Sequence, residues 1–303
     1  KILRIELKLL DSVKLSPGSI LRFGIIAYDK KKNYTTTGLN GYYPVDVNYR
    51  IEIINGQVHP RNHDIITVNT WESLKSNEVK IKATLLSNPS IFTEKFVKID
   101  FTGDAHIDYT GEPGLNGTSG GSIFGPAGGV NALNNAKNGG NGTDVVAEAK
   151  ILEYLGKKIV LVKAIPVQSG ESKYYATLVG TGKIIINVSG GNGGHGGTGA
   201  SGPNGDKDKY VNGGKGGDGG NGADGGHGAN IKITYDPSIK GHENQIVMIN
   251  QGGQAGMAGR AGSGGTGYKK GEDGRQGQSG RAGMAGRFPE ISYATVELAI
   301  PVQ

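Results

Sequence analysis

The chain contains no cysteine, one tryptophan and only 11 prolines among its 303 residues. Without cysteine the protein can form no disulfide, no thiolate metal site and no cysteine nucleophile. So few prolines exclude the proline-rich composition that is typical of collagen. No apolar run approaches the ~20 residues that a membrane helix needs, so we expect no membrane-spanning segment.

Charge of one sign is also scarce, because 33 basic residues face 27 acidic ones and the formal net charge is +6. This small excess permits weak attraction to anionic surfaces but does not predict nucleic-acid binding. The sequence has no Walker A motif, and its local motifs suggest no Ser/His/Asp set. We therefore predict no catalytic residue, no cofactor and no metal site.

Glycine is the residue that the chain has in excess, at 55 of 303 positions. It recurs at every third position through the segments 190–205, 213–228, 252–267 and 271–286, and less regularly through 111–129. A threefold, left-handed extended helix places every third residue on one ridge and makes no internal hydrogen bonds. We therefore predict a bundle of polyglycine-II helices, in which glycine lets neighbouring backbones approach and bond. The structural glycines of this prediction include Gly190, Gly193, Gly196, Gly213, Gly216, Gly219, Gly256, Gly259, Gly274 and Gly277.

The segments around these runs distinguish a bundle folded from one chain from a collagen triple helix. Strand-like sequences at 183–188 and 231–235 enclose the runs 190–205 and 213–228, and those at 246–250 and 291–298 enclose the next two runs. Two arms of equal length around a short loop predict an antiparallel hairpin, whereas collagen chains are parallel. A third, imperfect hairpin is expected from the run 111–129, a loop at 130–138 and a stub at 139–142, which makes six helices in all.

Triplet composition sorts the predicted helices into central and peripheral ones. The runs 190–199 and 213–220 read Gly-Gly-x, so two of their three ridges are bare and can pack on two sides. The runs 256–262 and 271–286 read Gly-x-x, and their wider side-chain face predicts a peripheral position. The third residues of the Gly-Gly-x triplets are expected to point outward as a solvated ridge: Asn192, His195, Thr198, Lys215, Asp218, Asn221 and His227.

Residues 1–105 predict an all-β domain, and residues 106–303 predict β-strands that frame the glycine-rich bundle. In the first domain, six or seven short runs of β-branched residues favour an immunoglobulin-like β-sandwich, with a small barrel as the alternative. In the second, the segment Val145 to Leu155 also suits a helix, because it contains several good helix formers. A strand is favoured there, because Ile159 to Val162 follows closely enough to complete a hairpin.

The loops at 206–212 and 268–270 are predicted to meet at the end of the hairpins far from the sheets, joined by 130–138. Their aromatic and basic residues suit contact with a surface glycan or with an acidic protein surface. These candidate binding residues are Lys207, Lys209, Tyr210, Tyr268, Lys269 and Lys270. The alternative is that the charged loops only keep the tip soluble.

The segment Gly213 to Asn221 partly matches the calcium-binding nonapeptide repeat. That repeat needs a large apolar residue two places after the Asp to fill the core of a β-roll. Here Gly220 and Gly226 occupy those places, which disfavours a β-roll. Incidental calcium binding at Asp218 or Asp224 stays open as an alternative.

The triplet runs resemble those of collagen-like, glycine-rich proteins of bacterial surfaces, which are often exported and lipid-anchored. The segments Asn230 to Ser238 and Asn250 to Gln254 look like parts of such proteins. The runs are also similar to the polyglycine-II bundle of the tail-fibre tip adhesins of T-even-like phages, although strands frame each hairpin here. The resemblance covers about residues 111–286 and is more specific for architecture than for function.

From these features and resemblances we expect a non-enzymatic structural or adhesion protein at the extracellular or outer-membrane surface, as an accessory subunit of an outer-membrane complex. The bundle is expected to be a rigid platform, and the distal loops its contact surface for a protein partner or a glycan. The chain begins at Lys1 without a signal sequence, as both a segment cut from a longer chain and a processed mature protein would. We expect processed export, because nothing in the sequence resembles a cytoplasmic enzyme, and the resemblance to bacterial surface proteins implies a lipid anchor upstream of residue 1. A phage receptor-binding adhesin is the alternative, and a surface hydrolase comes third.

Overall fold

The protein consists of β-strands and of long extended segments. The computed structural model describes residues 2–9, 14–31, 34–37, 48–58, 65–68, 76–121 and 128–299. The described strands form four sheets, which confirms the predicted all-β class. The strands are β1 Ile2–Leu9, β2 Ile20–Asp29, β3 Tyr34–Thr37, β4 Tyr49–Ile54, β5 Gly56–Val58, β6 Ile65–Val68, β7 Glu78–Leu85, β8 Phe92–Lys98, β9 Ala105–Asp108, β10 Val145–Tyr154, β11 Lys157–Pro166, β12 Lys173–Leu178, β13 Ile184–Asn187, β14 Ile231–Tyr235, β15 Ile246–Ile249 and β16 Glu290–Tyr293. Short 3-10 turns at Pro237–Ile239 and Glu243–Gln245 lie between β14 and β15.

Strands β1 to β8 form two antiparallel sheets that share one hydrophobic core. One sheet has the order β1-β2-β6-β5 with β3 paired to β2, and the other has the order β4-β7-β8. Alternate side chains turn inward along β7, where Val79 and Ile81 are fully buried, as expected of a strand with one face toward a core. These residues belong to the same apolar cluster as Phe23 and Ile25 of β2.

Two further sheets contain the parallel strands from which the glycine-rich segments extend. Strands β9, β13 and β15 form a parallel sheet in the order β15-β13-β9. In the other sheet, β10, β14 and β16 are parallel neighbours, and β10 also begins the antiparallel meander β10-β11-β12. Inward-facing residues of both sheets, among them Ile107, Ile186 and Ile233, form a second apolar cluster.

Strands β10 and β11 form the hairpin that was predicted in preference to a helix at Val145 to Leu155. Leu155 and Gly156 connect them, with φ angles of 49° and 70°. A two-residue turn with positive φ at both positions matches the right-handed twist of the strands that it joins.

Strand β11 belongs to both hydrophobic cores. Ile159 and Leu161 lie in the first cluster, whereas Val160 and Val162 lie in the second, and all four are fully buried. Because successive side chains of a strand point to opposite faces, a single strand can fill two cores. Strand β11 therefore fastens the sheets of residues 1–105 to those that carry the glycine-rich segments, and the boundary at residue 105 stays a prediction.

The glycine-rich part consists of six extended runs, numbered 1 to 6: 111–121, 128–142, 190–205, 213–228, 252–267 and 271–286. Backbone hydrogen bonds at every third residue connect them. Runs 1, 3 and 5 lie side by side and parallel in one layer, called the outward layer because its runs lead away from the sheets. In it, Gly114 N–H donates to the Asn192 carbonyl and Gly193 N–H donates to the Gln254 carbonyl. Runs 2, 4 and 6 form a parallel return layer in the same way.

The two layers are antiparallel to each other. Gly220 N–H of run 4 donates to the Gly197 carbonyl of run 3 at 2.8 Å, and Gly259 N–H of run 5 donates to the Gly220 carbonyl at 2.8 Å. Runs 3 and 4 have neighbours on both sides within their layers, as their Gly-Gly-x composition predicts. Runs 5 and 6 lie together at one edge, as the Gly-x-x composition predicts.

Each layer continues the strand order of one sheet. Strands β9, β13 and β15 lead into runs 1, 3 and 5, while runs 2, 4 and 6 lead into β10, β14 and β16. The bonding passes from sheet to runs without a gap, because Asn187 pairs with Asp108 in the sheet and Gly111 N–H then donates to the Ser189 carbonyl. At this junction the bonding pattern changes from that of a strand to one bond at every third residue.

Residues 128–142 differ from the sequence prediction of a loop at 130–138 followed by a stub. They form run 2, whose N–H groups at Gly129 and Gly142 donate to carbonyls of run 4. Run 2 has one extra residue between Asn134 and Asn138, which shifts its register against run 4. Before this residue, bonded residues of the two runs are 87 positions apart in the sequence, and after it they are 86 apart. This extra residue interrupts the period of three, which is why the sequence pattern predicts a loop there.

Glycine is required where two runs approach each other most closely. A Cβ on Gly216 would overlap the carbonyl oxygen of Gly262, and a Cβ on Gly193 would overlap that of Ala223. Because the obstacle is backbone, no change of rotamer can relieve the overlap. Gly121, in contrast, faces open space. The other predicted structural glycines also face a backbone carbonyl oxygen: Gly190, Gly196, Gly213, Gly219, Gly256, Gly259, Gly274 and Gly277.

Candidate functional site at the distal tip and the clamps behind it

The loops that follow runs 3 and 5 meet at the end of the runs far from the sheets. The rings of Tyr210 and Tyr268 contact edge to face with their centroids 5.0 Å apart, and Tyr268 N–H donates to the Val211 carbonyl at 2.9 Å. Tyr210 is 74% exposed and Tyr268 is 52% exposed. The structure thus brings the two predicted aromatic residues together at the surface.

A turn built on Asp206 fixes the conformation of Tyr210. The Oδ1 atom of Asp206 accepts hydrogen bonds from the N–H groups of Asp208 and Lys209, at 3.0 and 3.3 Å. Tyr210 has a φ of 57°, in the left-handed region that costs a residue with a side chain about 1–2 kcal/mol. Such strain persists only where surrounding contacts maintain it, and here they are the Asp206 turn and the Tyr268 ring.

The predicted lysines lie in the same two loops as the tyrosine pair. Lys209 Nζ lies 3.3 Å from the Asp206 carboxylate, and Lys270 Nζ lies 3.1 Å from Asp273. Both pairs are exposed, so each contributes little to stability. A hydrogen bond from Gly264 N–H, together with Lys270, lowers the pKa of Asp273. With Lys207 and Lys269, the tip carries four lysines against Asp206, Asp208, Glu272 and Asp273, so the two signs of charge balance.

The segment 130–138 does not join this tip, which corrects the sequence prediction. Its residues bond along run 3, where Ala200 N–H donates to the Val130 carbonyl and Gly194 N–H donates to the Lys137 carbonyl. The connection between runs 1 and 2 falls on residues 122–127, outside the described residues.

Behind the tip, a repeated side-chain clamp joins neighbouring runs of one layer. The Oδ1 atom of Asn221 accepts a hydrogen bond from Gln278 N–H at 2.8 Å. The next amide, Gly222 N–H, donates to the carbonyl of the same Gln278 at 2.8 Å. One side chain and the following amide thereby bond both backbone groups of a single residue on the neighbouring run.

The clamp recurs in both layers and always in the same direction, from run 1 to 3 to 5 and from run 2 to 4 to 6. The clamping pairs and their targets are Asn116-Gly117 with His195, Ser119-Gly120 with Thr198, Asn131-Ala132 with Asp218, Asn138-Gly139 with Asp224, Asn141-Gly142 with His227, Asn192-Gly193 with Gln254, His195-Gly196 with Met257, Asn204-Gly205 with Thr266, Asn212-Gly213 with Lys269, Asp218-Gly219 with Arg275, Asn221-Gly222 with Gln278, Asp224-Gly225 with Arg281 and His227-Gly228 with Met284. All the clamping side chains are Asn, Asp, Ser or His, because the position needs a hydrogen-bond acceptor.

The clamp also connects the runs to the sheets. Asp144 Oδ1 accepts a hydrogen bond from Asn230 N–H at 2.7 Å, and Val145 N–H donates to the Asn230 carbonyl at 3.0 Å. This clamp lies where run 2 becomes β10 and run 4 becomes β14. The tip is therefore joined to the second hydrophobic core by an unbroken series of backbone and side-chain bonds.

These clamps correct the prediction of a solvated ridge at the third residues. Asn192, His195, Asp218, Asn221 and His227 do lie at the surface, but each accepts a hydrogen bond from a neighbouring run. The signal was present in the sequence as Asn-Gly, Asp-Gly and His-Gly pairs in phase with the triplets. Asn-Gly ordinarily indicates a turn, which is why the pattern was not read as bonding between runs.

Lys215 is the exception among the third residues of run 4. Lysine has three donors and no acceptor, so it cannot bond the N–H of Glu272, the residue that it faces. The second half of the clamp is still formed, because Gly216 N–H donates to the Glu272 carbonyl at 2.8 Å.

The carboxylates considered for calcium are used by the clamps. Asp218 accepts a hydrogen bond from Arg275 N–H, and Asp224 accepts one from Arg281 N–H. Within the described part of the chain, no group of three or more His, Asp or Glu side chains is placed to hold a metal ion.

Comparison with protein-family models, with curated proteins and with solved structures found no match for this chain. Across the described ranges, none of the helical segments has the length and apolar character to cross a membrane.

Proposed function

We propose that the six runs are polyglycine-II helices and that strands β1 to β8 form an immunoglobulin-like sandwich. The helices are supported by the period-three hydrogen bonds between runs and by the glycine ridges that face backbone carbonyls, both of which a threefold extended helix requires. The sandwich is supported by two antiparallel sheets that contribute to one core.

On this architecture the protein acts as a non-enzymatic structural or adhesion protein of the cell surface, within an outer-membrane assembly. Its distal tip contacts a surface glycan or a protein partner. The observation that carries this proposal is the exposed Tyr210–Tyr268 pair, at the far end of runs whose bonding continues into two sheets.

Two properties of the tip suit recognition. A run such as 190–205 has a length of roughly 50 Å at ~3.1 Å per residue, which holds the tip well away from the sheets. The tyrosine rings are fixed by the turn at Asp206 and by each other, so little conformational entropy is lost when a partner binds. Aromatic rings beside lysines offer both an apolar face and hydrogen-bond donors, which glycans and acidic protein surfaces use.

The proposal is tested with Tyr210→Ala and Tyr268→Ala, probed on a glycan microarray and by photo-cross-linking from position 207 on native membranes. We expect each variant to weaken binding at least about tenfold, as removal of an aromatic anchor commonly does. Phe288→Ala is the matched control, because Phe288 is 97% exposed and lies outside the tip. Unchanged binding by both tyrosine variants would contradict the proposed role of the tip.

A further inference from the structure

Seven Asn-Gly pairs lie within the six runs or at their ends, an arrangement with a chemical consequence. In an Asn-Gly pair the glycine backbone nitrogen can attack the asparagine Cγ. The N–Cγ bond forms, the Cγ–Nδ2 bond breaks, and the nitrogen leaves as ammonia with a proton from the attacking amide. Water then opens the five-membered imide to aspartate or isoaspartate. The asparagines of the seven pairs are Asn116, Asn138, Asn141, Asn192, Asn204, Asn212 and Asn221.

All seven pairs form clamps, and each clamp engages both groups that must react. The attacking glycine N–H donates to a carbonyl of the neighbouring run, at distances from 2.6 Å for Gly117 to 2.9 Å for Gly213. The carboxamide Oδ1 accepts an N–H of the same neighbouring residue, at distances from 2.8 Å for Asn192 to 3.1 Å for Asn212. The attacking nitrogen and the carboxamide that it would attack are thus each hydrogen-bonded to the same residue of the neighbouring run.

Ring closure requires both bonds of the clamp to break. The glycine nitrogen must lose its proton and turn toward Cγ, but its N–H points at the neighbouring carbonyl. The carboxamide must turn toward that nitrogen, but its oxygen is held by the neighbouring N–H. Each bond contributes about 0.5–1.5 kcal/mol, and the close approach of the runs leaves no other position for the backbone. Reaction is therefore confined to locally opened states.

We propose that the bundle protects its seven Asn-Gly pairs from spontaneous deamidation, and that Asn55-Gly56 deamidates before them in the folded chain. The remaining pair, Asn40-Gly41, lies outside the described residues. Asn55 lies in the turn between β4 and β5, outside the runs, with a φ of 63°. Its carboxamide is held through Nδ2, which donates to the Glu78 carbonyl at 2.8 Å and to Ser76 Oγ. Its oxygen therefore lacks the clamp geometry that the seven run asparagines share.

Protection matters because the period of three depends on the length of the backbone. Isoaspartate adds one carbon to the main chain, so a single event in run 4 would shift every later clamp of that run. A surface protein that is not replaced for a long time therefore benefits when the hydrogen bonds that join its runs also hold each reactive asparagine in place. The inference concerns the chemistry of the runs and holds whether or not the tip binds a glycan.

The first experiment incubates the folded protein at mildly alkaline pH and follows each Asn-Gly pair by peptide mapping with mass spectrometry. The same chain unfolded in urea supplies the reference rates. We expect the seven run pairs to react at least about tenfold more slowly in the folded protein than in urea, and Asn55-Gly56 to react before any of the seven. Equal rates in the folded and unfolded chain at the run pairs would overturn the proposal.

A pair of variants tests the clamp at one site without changing an Asn-Gly pair. Gln278→Pro removes the N–H that Asn221 accepts, while the φ of proline suits an extended threefold backbone. Gln278→Ala keeps that N–H and is the control. We expect Gln278→Pro to speed deamidation at Asn221 roughly two- to tenfold, the effect of losing one hydrogen bond, with Asn192 unchanged. If Gln278→Pro and Gln278→Ala give the same rate at Asn221, the clamp is not the protecting element.

Discussion

The sheets and the runs of this protein are stabilised in opposite ways. The sheets bury large apolar side chains, such as Ile159 and Leu161, which are fully inaccessible. In the described runs, the buried apolar residues are the alanines Ala132, Ala200 and Ala223, and order comes from backbone bonds and clamps. A buried leucine contributes about 1.5–3 kcal/mol, whereas one hydrogen bond contributes about 0.5–1.5 kcal/mol. The stability of the runs is therefore distributed over many small contacts. Loss of one hydrogen bond should cost less than a Cβ added to a glycine where two runs touch.

Leu161→Ala is expected to give the largest effect, because it removes a buried side chain from the strand that fastens both cores. The free energy of unfolding should fall by about 2–5 kcal/mol, measured by urea denaturation. Val167→Ala is the control, since Val167 is 60% exposed. A loss no greater than that of the control would mean that the Leu161 side chain does not stabilise the first core.

Gly216→Ala adds one methyl group at a point where two runs touch. Its Cβ would overlap the Gly262 carbonyl oxygen, so we expect a loss of about 1–3 kcal/mol and a lower melting temperature. Gly121→Ala, which places the same methyl group in open space, should change stability by less than about 0.5 kcal/mol. Equal stability of the two variants would show that close packing is not what the glycine ridge provides.

Asp236 joins the C-terminal segment to the second core and makes that junction sensitive to acid. Its carboxylate accepts hydrogen bonds from the N–H groups of Val296 and Ser238, and Lys150 lies 3.8 Å away. These contacts, Val296 N–H first, lower the pKa of Asp236 from its ordinary 3.8 to about 2. A lowered pKa in the folded state stabilises the protein above the unfolded pKa, and this contribution is lost as the pH falls toward about 2.

Asp236→Asn tests that junction. We expect it to lower the free energy of unfolding by about 1–2 kcal/mol at neutral pH. The difference from the unsubstituted protein should shrink between about pH 4 and pH 2, where the aspartate becomes protonated. Denaturation series at several pH values measure this difference, and a difference independent of pH would show that the charge of Asp236 is not responsible.

Lys215→Asn is the smallest predicted effect and the only one that stabilises. It supplies the acceptor that run 4 lacks opposite Glu272 N–H, and should add about 0.5–1.5 kcal/mol to the free energy of unfolding. Lys215→Ala also removes the charge but supplies no acceptor, so it should not stabilise in this way. If both variants melt at the same temperature, the clamps contribute less than the backbone bonds beside them.

The sequence predicted best those features that depend on spacing alone. A period of three places glycines on one ridge, so runs 3 to 6, and the central position of runs 3 and 4, follow from the positions of glycine. Run 2 could not be found in this way, because Ala132 replaces a glycine and one residue is inserted before Asn138. The parallel order within each layer also escaped prediction, since it depends on the pairing of strands far apart in sequence, such as β9 with β13.

At the candidate site, the meeting of the two loops also follows from spacing, whereas the clamps do not. Equal arms around loops 206–212 and 268–270 implied that the two loops meet, and Tyr210 and Tyr268 do contact each other. The clamps were missed because the Asn-Gly pair is read locally as a turn, whereas its partner lies 57 or 62 residues away in the pairs Asn221–Gln278 and Asn192–Gln254. Long-range partners of this kind are invisible to a period measured along one run.

Because all the clamps run in the same direction, the composition of the last hairpin decides where the series of runs ends. In runs 3 and 4 the ridge that meets the next hairpin is glycine throughout. On run 6 the corresponding ridge carries side chains, and two of them turn back to run 5, where Asp273 accepts from Gly264 N–H and Ser279 accepts from Ala258 N–H. A lattice that could extend sideways without limit is thereby closed after its third hairpin. One more Gly-Gly-x hairpin with its two framing strands, inserted between β14 and β15, would therefore widen each layer by one run and leave run 6 as the last.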